Sequence, residues 1–470
     1  MFNYTGTYTD LYQLKMAQVY FLKGKKDHGA VFDYFFRKLP FAGGYAVFAG
    51  LEDLLEVLQN IHFDDLDIAF LQTQGFHSAF LDYLKNFRFK GTVYAPEEGE
   101  IVFPAAPVVT IEAGIIEAQI IETILLNILN FQTLIATKAS RIRQVAGHRK
   151  LVDFGLRRAQ GPGGYYASRA AIIGGFDATS NVRAGRDYAI PIVGTMAHSF
   201  IQSYEDELSA FRDFAEINPD DCILLVDTYN TLKSGVPNAI KIGKEMKACG
   251  QQLKGIRLDS GDLGYLSKKA RQMLNEAELN EVNITASNQL DEDVIKTLLE
   301  EGAPIDAFGV GTNLVIGRPD AALDGVFKLA FAHHKPRIKL SETVTKTTLP
   351  YKKQVRRVLD QSGTFWGADV IALEEENTVG TMYHPFESLN SLSLKNYKEE
   401  PLLHKVMEQG IRLSVPKSLQ EIAQYSKQRL DRLPAEYKCL SNPRIYKVGL
   451  SSKLKMQRDQ LIEEHERKNA

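Results

Sequence analysis

Polar side chains that can do chemistry follow four apolar runs in the middle of the chain. The runs are Cys222–Val226, Gly255–Leu258, Val282–Ala286 and Ile305–Phe308. The residues that follow them are, in order, Asp227, Asp259-Ser260-Gly261-Asp262, Ser287-Asn288 and Gly309-Val310-Gly311-Thr312. In a parallel β/α array the loops after the strands line one rim, where catalytic groups collect. We therefore predict a functional rim; the alternative is that Asp262 and Ser287 only N-cap the helices that follow.

Two carboxylates and an arginine stand close together at one of these positions. Asp259 and Asp262 are three residues apart, and Arg257 precedes Asp259 by two. Paired carboxylates can chelate Mg²⁺ beside a phosphate or accept hydrogen bonds from ribose hydroxyls. No groove of aromatic residues accompanies them, so a glycosidase pair is not indicated. Arg257 shares its side of the strand with Asp259; it can clamp a substrate carboxylate or form an ion pair with an aspartate.

Two further segments also have residues that suit a functional rim. Gly309–Thr312 offers backbone N–H groups and a hydroxyl where a helix is predicted to begin, which suits a phosphate, although glycines at this spacing also make simple turns. His198 follows the predicted strand Ile190–Val193 and has Thr195 three residues before it. This rim position distinguishes it from histidines with a structural role.

An earlier predicted strand, Leu151–Phe154, also ends in residues of interest. Arg157 follows it closely and can bind the pyrophosphate of a charged substrate, or it is a solvated strand end. Phe154 can stack on a flat ring or belong to the core, and the residues alone favour the core.

The elements that must position these residues are legible from hydrophobic periodicity. The four apolar runs recur at the spacing of consecutive β-strand–helix units, in which parallel strands need a crossover helix each. Amphipathic helices are predicted over Leu263–Leu274 and Leu290–Glu300. A helix of about 30 residues is predicted from Ile115. The β/α alternation stops beyond Leu329, and a charged helical stretch ends the chain.

Composition excludes several classes of protein. The 470 residues are 44% hydrophobic and 24% charged, with a net charge of −2, so disorder and a global basic field for nucleic acid or anionic membrane are not indicated. The three cysteines, Cys222, Cys249 and Cys439, have no spacing typical of disulfides or metal clusters. No apolar stretch approaches the roughly 18 residues of a spanning helix, and the first residues lack the pattern of a signal peptide. We expect a cytoplasmic protein without nucleic-acid or membrane partners.

The chain resembles the nicotinate phosphoribosyltransferases over most of residues 5–330 and more weakly beyond. The motifs that carry the resemblance are Thr9-Asp10-Leu11-Tyr12-Gln13, Gly43-Gly44-Tyr45, Glu97-Glu98-Gly99, Asp153-Phe154-Gly155-Leu156-Arg157-Arg158-Ala159, Ser168-Arg169-Ala170-Ala171, Thr179-Ser180-Asn181, Gly194-Thr195-Met196-Ala197-His198, Arg257-Leu258-Asp259-Ser260-Gly261-Asp262 and Phe308-Gly309-Val310-Gly311-Thr312. Together they are highly specific, although no single motif is. One departure is Tyr351, which stands where the family pattern leads us to expect glycine.

The resemblance implies an α/β fold, an irregular TIM-like barrel with a flanking, β-rich α/β domain built from N-terminal and C-terminal segments. The expected flanking domain spans residues 1–115, completed by parts of 331–400, and the expected barrel with the catalytic rim spans 116–330. Residues 331–470 would pack on the flanking domain and end in the charged helix. The resemblance also implies a homodimer in which two chains build each active site.

The implied reaction joins nicotinate to 5-phosphoribosyl 1-diphosphate and releases pyrophosphate, as a step of NAD salvage. ATP would be a co-substrate and Mg²⁺ a cofactor. By resemblance, Tyr12 and Phe154 would sandwich the pyridine ring, while Thr195 and Arg257 would hold the nicotinate.

The remaining implied roles concern the ribose, its phosphates and ATP. Arg157 would lie near the pyrophosphate, and Asp259 and Asp262 would lie at the ribose and the magnesium ion. Thr312 with its glycines would bind the 5-phosphate, and His198 would be transiently phosphorylated by ATP. The further rim residues expected to bind substrate are Ser260, Ser287, Gly309 and Gly311.

Three alternatives remain open. A relative that uses nicotinamide should offer the amide a carboxylate acceptor; Thr179 at that place favours the acid, while Asp177 nearby keeps the amide possible. A relative that uses quinolinate should be shorter and have more basic residues for two carboxylates. The third alternative is an inactive barrel that serves as a scaffold, against which the intact rim residues argue.

Overall fold

The computed structural model describes residues 4–341, 347–387 and 390–469. The chain forms two compact units, one made of Met1–Thr137 with Ala322–Ala470 and the other of Lys138–Ala321. In the described residues, no helix is both long enough and apolar enough to cross a membrane.

Helices and strands are numbered here in chain order. The helices are α1 Leu11–Leu22, α2 Leu51–Asn60, α3 Asp65–Thr73, α4 Ser78–Lys85, α5 Ile115–Ile120, α6 Glu122–Ala146, α7 Gly163–Ile173, α8 Val182–Tyr188, α9 His198–Gln202, α10 Glu207–Ile217, α11 Val236–Ala248, α12 Leu263–Glu276, α13 Glu292–Glu300, α14 Thr312–Val315, α15 Leu419–Arg432, α16 Ala435–Lys438 and α17 Ser452–Asn469. The strands are β1 Gly29–Phe36, β2 Ala46–Val47, β3 Thr92–Ala95, β4 Ile101–Val102, β5 Val109–Gly114, β6 Lys150–Asp153, β7 Ala178–Thr179, β8 Ile223–Leu225, β9 Gly255–Leu258, β10 Asn283–Ser287, β11 Ala307–Val310, β12 Gly325–Ala332, β13 Lys335–Pro336, β14 Lys353–Leu359, β15 Phe365–Leu373, β16 Thr381–Tyr383, β17 Ser391–Ser393, β18 Lys398–Pro401, β19 His404–Glu408, β20 Ile411–Arg412 and β21 Lys447–Ser451.

The second unit is built on a parallel sheet. Among the described residues its strands lie in the order β7-β6-β11-β10-β9-β8, and each neighbouring pair is parallel. Helices connect successive strands, as parallel pairing requires, and their apolar faces bury side chains such as Leu224, Ile256 and Ile284. The sheet confirms the α/β class and forms the core of the predicted irregular barrel.

One strand of the predicted series is wrong. Ile190–Val193 is not a strand; it makes a single parallel bridge, between Thr179 and Ile192. Thr179 N donates to the carbonyl of Pro191, and Val193 N donates to the carbonyl of Thr179. Because Pro191 has no N–H to donate, a longer ladder cannot form here. The neighbouring strand is instead β7, which pairs with the end of β6.

The helix predicted from Ile115 is interrupted once, at Ile121, between α5 and α6. The interruption is local, since Ile121 N still bonds to the carbonyl of Glu117 and Leu125 N to that of Ile121. In the second unit, Lys138 and Arg141 of α6 form buried ion pairs with Glu292 at the start of α13. These pairs hold the end of α6 against a crossover helix of the sheet.

The first unit contains two larger sheets in its described part. One has the order β13-β12-β1-β5-β3-β19-β20, and the other has the order β17-β16-β21-β15-β14-β18. Alternate residues of β15 enter two separate apolar clusters, with Ile371 in one and Val370 in the other. Since successive side chains of a strand point to opposite faces, this sheet is buried on both sides. A β-rich flanking unit built from both ends of the chain is therefore confirmed.

The limits of the units differ from the expected ones at 115/116 and 330/331. Thr137 of α6 accepts a hydrogen bond from Val47 N at 2.9 Å, which ties this stretch of α6 to the first unit. Strand β12 pairs with β1 along its length, so the chain re-enters the first unit before residue 330. At Tyr351, where glycine was expected, the backbone is left-handed with a φ of 66°, a conformation that glycine adopts without strain.

A fully buried cation organises part of the first unit. Arg357 donates to both carboxylate oxygens of Asp369, at 3.0 and 2.9 Å, and to Glu100 at 2.5 Å. Arg429 of α15 also pairs with Glu100. Although burial by itself raises the pKa of Glu100, the positive charges of Arg357 and Arg429 hold this pKa below its usual value.

We predict that Arg357→Met lowers the free energy of unfolding of this unit by about 3–5 kcal/mol, because Glu100 and Asp369 stay buried without their partner. The only tryptophan, Trp366 in β15, reports the unfolding of this unit by its fluorescence during urea denaturation. Arg467→Met is the control: its ion pair with Glu463 is exposed, and we expect a loss of less than about 1 kcal/mol. Equal losses in both variants would contradict the role of Arg357.

Candidate active site

Hydrogen bonds tie together the loops that follow β8, β9 and β10. Asp227 Oδ2 accepts from Asp259 N and from Ser260 Oγ, both at 2.7 Å. Ser287 Oγ donates to Asp259 Oδ1. Asp259 is thus held from both sides, by the preceding and the following loop. Neighbouring parallel strands bring these residues together because their carboxyl ends share one edge of the sheet.

Arg257 lies in the same array, on the middle strand of these three, with Leu225 and Thr285 as its neighbours across the sheet. Its guanidinium donates to Thr195 Oγ1 at 2.5 Å, and its Cζ lies 6.0 Å from the centre of the Phe154 ring. The structure therefore groups three of the predicted substrate-binding residues, Phe154, Thr195 and Arg257, around one charge.

The charge of Arg257 is only partly compensated. Its Nε is buried and has no hydrogen-bond partner among the described residues. Burial lowers the pKa of Arg257, and the positive charge of Arg157 acts in the same direction, while Asp259 and Asp227 oppose the shift. Buried polar atoms without partners are rare in native proteins. A guanidinium in this state is suited to receive an anion from solution.

Two glycines allow Phe154 to lie where it does. A Cβ atom at Gly309 would lie 2.4 Å from ring carbons of Phe154, and one at Gly311 would lie 3.2 Å from its carbonyl oxygen. Phe154 N also donates to the carbonyl of Val310 at 2.9 Å. The residues alone favoured a core position for Phe154. In the structure Phe154 is half-buried, so part of its ring faces the site.

A buried carboxylate underlies Phe154. Asp153 accepts hydrogen bonds from Gly155 N at 2.8 Å, Ser168 Oγ at 2.7 Å and Thr179 Oγ1 at 2.8 Å. Burial raises the pKa of Asp153, against the effect of these three donors. The network fixes the turn after β6 that carries Phe154.

His198 is the first residue of α9 and is half-buried. Its Nδ1 lies 3.0 Å from Thr228 Oγ1, and its Nε2 lies 3.9 Å from Asp259 Oδ2. The rim position predicted for His198 is therefore the one it has, beside the loops after β8 and β9.

Asp259 and Asp262 have different surroundings. Asp262 Oδ1 caps α12 by accepting from Tyr265 N at 2.9 Å, which leaves its other oxygen for a ligand. Within the described residues no group of three or more His, Cys, Asp or Glu side chains could hold a metal ion. Mg²⁺ usually takes one or two carboxylates together with water and substrate phosphates. Asp259 and Asp262 are carboxylates of the kind that such a site uses.

Ser287 does not cap a helix, in contrast to the alternative considered from sequence. The N-cap of α13 is Asp291, whose Oδ1 accepts from Val294 N at 3.0 Å. Between them, Asn288 and Gln289 have left-handed backbones, with φ of 82° and 52°. Such strain in non-glycine residues is concentrated at functional sites.

Three further predicted site residues, Arg157, Thr312 and Tyr12, have the following positions. Arg157 is exposed in the 3₁₀ turn Leu156–Arg158. Thr312 begins the short helix α14, directly after Gly311. Tyr12 lies in the first unit, on α1, with 52% of its surface exposed.

For three residues that organise the site, the sequence did not indicate the role that the structure shows. Asp227 was recognised at the rim but not as the acceptor for the neighbouring loop, and one of its oxygens is buried without a partner among the described residues. Thr228 was not singled out, although it directly follows Asp227. Asp153 was noted only inside a motif; its position at the end of a strand was the available signal.

Comparison with known proteins identifies the family. The model of the nicotinate phosphoribosyltransferase (NAPRTase) family matches residues 149–363. The models of its N-terminal and C-terminal domains match residues 7–130 and 352–458.

Individual relatives agree. Nicotinate phosphoribosyltransferase of Bacillus subtilis is 44% identical over 456 residues, which cover 94% of this chain and 92% of the relative. The crystal structure of human nicotinic acid phosphoribosyltransferase has a TM-score of 0.86 at 30% identity, covering 97% of this chain and 99% of that one. A nicotinate-nucleotide pyrophosphorylase from Pyrococcus furiosus has a TM-score of 0.72 at 25% identity, covering 91% and 95%. These matches show that the chain belongs to the nicotinate phosphoribosyltransferase family of enzymes.

Proposed function

We propose that this enzyme makes nicotinate mononucleotide and pyrophosphate from nicotinate and 5-phosphoribosyl 1-diphosphate, with the help of ATP hydrolysis, in NAD salvage. The observation that carries this proposal is the position of Arg257, whose positive charge is only partly compensated, beside Thr195 and Phe154. A flat ring with a carboxylate supplies both an aromatic face for Phe154 and an anion for the guanidinium. In the proposed site the other face of the ring is closed by Tyr12 from the second chain of a homodimer.

The phosphoribosyl group is assigned to the acidic and glycine-rich parts of the rim. Asp259, with Ser260 and Ser287 beside it, receives the ribose, and Asp259 and Asp262 hold Mg²⁺. A Mg²⁺ ion held by these two carboxylates would supply positive charge that stabilises the leaving pyrophosphate. The 5-phosphate is assigned to Gly309, Gly311 and Thr312, and Arg157 to the pyrophosphate.

The transfer step needs no general base. The pyridine nitrogen attacks C1 of the ribose with its lone pair, the bond from C1 to the pyrophosphate oxygen breaks, and pyrophosphate leaves with the electron pair. The demands on the protein are orientation of the two substrates and stabilisation of a positively charged ribose. The carboxylate of Asp259 suits the second demand.

ATP is coupled through His198. In the tautomer in which Nδ1 donates to Thr228 Oγ1, Nε2 has a lone pair for attack on the γ-phosphorus. The bond from that phosphorus to the bridging oxygen breaks, and ADP leaves with the electron pair. Water later attacks the phosphohistidine and releases phosphate. While it lasts, the phosphoryl group adds up to about two negative charges to the rim.

The nicotinamide alternative is disfavoured by the surroundings of Asp177. Its Oδ2 accepts from Arg143 at 2.5 Å and from Leu151 N at 2.7 Å, near the amino end of β6. The rim lies at the other end of this strand, after Asp153. At that end Thr179 donates its hydroxyl to Asp153. Neither Asp177 nor Thr179 therefore offers a carboxylate acceptor to a substrate amide at the rim.

We also propose a homodimer with shared active sites, in the cytoplasm. The support is the surface of α1, where four large apolar side chains are 47–57% exposed. These side chains are Leu11, Tyr12, Val19 and Leu22. Several exposed apolar groups on one helix are typical of a protein–protein interface.

We predict that Arg257→Ala raises the KM for nicotinate about tenfold or more, because a charge-assisted hydrogen bond contributes about 1.5–3 kcal/mol. Steady-state synthesis with varied nicotinate measures the change. Arg257→Lys is the matched variant, since it keeps the charge but not the planar fork, and we expect an intermediate KM. Wild-type protein that used nicotinamide as well as nicotinate would show the assignment to be wrong.

For the shared sites, we predict that mixing inactive Tyr12→Ala and inactive Asp259→Ala proteins restores activity. A hybrid dimer then contains one site with both native residues. Activity is measured after unfolding and refolding the mixture, with each variant treated alone as the control. A fully active monomer at assay concentration would overturn the proposal.

His198→Ala should abolish nicotinate-stimulated ATP hydrolysis and acid-labile phosphate labelling, yet leave slow ATP-independent synthesis at high substrate concentration. The reason is that His198 has no part in the attack on the ribose. Asp259→Ala should lose synthesis while His198 can still be labelled with γ-³²P-ATP. If His198→Ala kept its ATP hydrolysis, the phosphohistidine would have to be abandoned.

A further inference from the structure

A cavity of about 320 Å³ lies within the first unit, between its two larger sheets. One wall comes from β1 and β12, which belong to one sheet, and the other from β14, β15 and β21, which belong to the other. Protein interiors have few spaces larger than a water molecule, and this volume lies in the range of small-molecule sites, about 300–1,000 Å³. None of the roles proposed above for the substrates uses a residue that lines this cavity.

Most of the cavity wall is apolar. Phe35 contributes from β1, Ile371 from β15, and Val448 and Leu450 from β21. Ile371 and Leu450 are buried in one apolar cluster, against which the half-buried Val448 packs. Phe386, in the loop after β16, also lines the cavity and is 45% exposed. A ligand with an apolar body gains free energy by transferring that body from water to these walls.

Charged side chains complete the lining, and most of them have partners. The carboxylate of Asp33 is fully engaged, because its Oδ2 lies 2.7 Å from Lys353 Nζ and its Oδ1 accepts from Thr110 Oγ1 at 2.8 Å. Arg458 of α17 donates to Asp459 Oδ1 through Nε at 2.9 Å and through Nη2 at 2.6 Å. These cations are therefore compensated inside the protein.

Lys328 of β12 is the exception. It lies directly across from Asp33 in the β1–β12 pair, but both oxygens of Asp33 have other partners. The side chain of Lys328 is half-buried, lines the cavity and forms no ion pair with another described residue. Arg37 also lines the cavity, and its Nη1 lies 4.0 Å from Asp324 Oδ1, at the limit of an ion pair. The cavity thus offers about one uncompensated positive charge beside apolar walls.

We propose that this cavity binds a fatty acid of medium length, with the chain between Phe35 and Ile371 and the carboxylate at Lys328. A carbon of such a chain takes about as much space as a water molecule, roughly 30 Å³, so the cavity holds about ten heavy atoms. One uncompensated cation matches the single charge of a carboxylate, whereas a phosphate monoester carries about −1.5 to −2. The proposal is independent of the reaction proposed above, because no lining residue takes part in that reaction.

The test measures the binding of octanoate and of octan-1-ol, which has the same chain without the charge, by calorimetry on the full-length protein. Lys328→Gln should raise the Kd of octanoate about tenfold or more, since a charge-assisted hydrogen bond is worth at least about that factor. It should leave the Kd of octan-1-ol within about twofold, because the apolar walls are unchanged. Lys328→Arg keeps the charge and should restore the binding of octanoate.

A second variant tests the apolar part of the cavity. Val448→Phe places a larger side chain in the space for the ligand, and it should weaken the binding of both octanoate and octan-1-ol. The fluorescence of Trp366 during urea denaturation shows whether this variant is still folded. Lys335→Gln is the matched control, because Lys335 is an exposed lysine on the neighbouring strand β13, outside the lining. It should change neither Kd.

Three results would overturn the proposal. One is a wild-type Kd for octanoate weaker than about 1 mM, since a well-buried ligand of about ten heavy atoms should exceed that affinity. Another is an unchanged Kd for octanoate in Lys328→Gln. The third is tighter binding of octyl phosphate than of octanoate by the wild type, which would show that the cavity takes a phosphate monoester instead of a carboxylate.

Discussion

The carboxylate of Asp227 accepts a backbone N–H and a hydroxyl from the loop that follows the neighbouring strand, β9. This contact orients Asp259, which Ser287 holds from the other side. Three strand ends thus depend on one another through side-chain hydrogen bonds. The arrangement requires parallel neighbours, because only then do successive loops meet at the same edge of the sheet. Loss of one of these hydrogen-bonding side chains would release the loops that it connects.

The same device recurs at β6, with a different outcome. Asp153 is fully buried and satisfied by three donors, and the turn that it fixes carries Phe154 against Gly309. There the carboxylate acts on the site through the aromatic ring that it positions. Asp227 and Asp153 therefore both fix a loop by accepting hydrogen bonds. Of the two, Asp227 has a buried oxygen without a partner among the described residues.

Buried cations in this protein fall into two kinds. Arg357 has carboxylates on both sides and a backbone carbonyl as well, so its charge and its donors are satisfied within the first unit. Arg257 has one hydroxyl and a nearby ring, and its Nε lacks a partner among the described residues. The first arrangement stabilises the fold, because removal of Arg357 or of its carboxylates would leave a buried charge without a partner. The second leaves binding capacity for an anionic substrate.

Local patterns in the sequence were enough to predict the strands β8 to β11 within two residues and to give N-capping as one of two roles for Asp262. These features depend on the alternation of apolar residues and on turn chemistry, which each segment carries by itself. The rim position of His198 was predicted from a strand, Ile190–Val193, that does not form. Pro191, which reduces Ile190–Val193 to one bridge, is a signal that the sequence itself carries. The tertiary structure alone decided that Ser287 bonds to Asp259 rather than to a helix. It also decided that Arg357 meets Glu100, 257 positions away in sequence. Such partners are set by which strands become neighbours, and this depends on the burial of the whole sheet and not on any one segment.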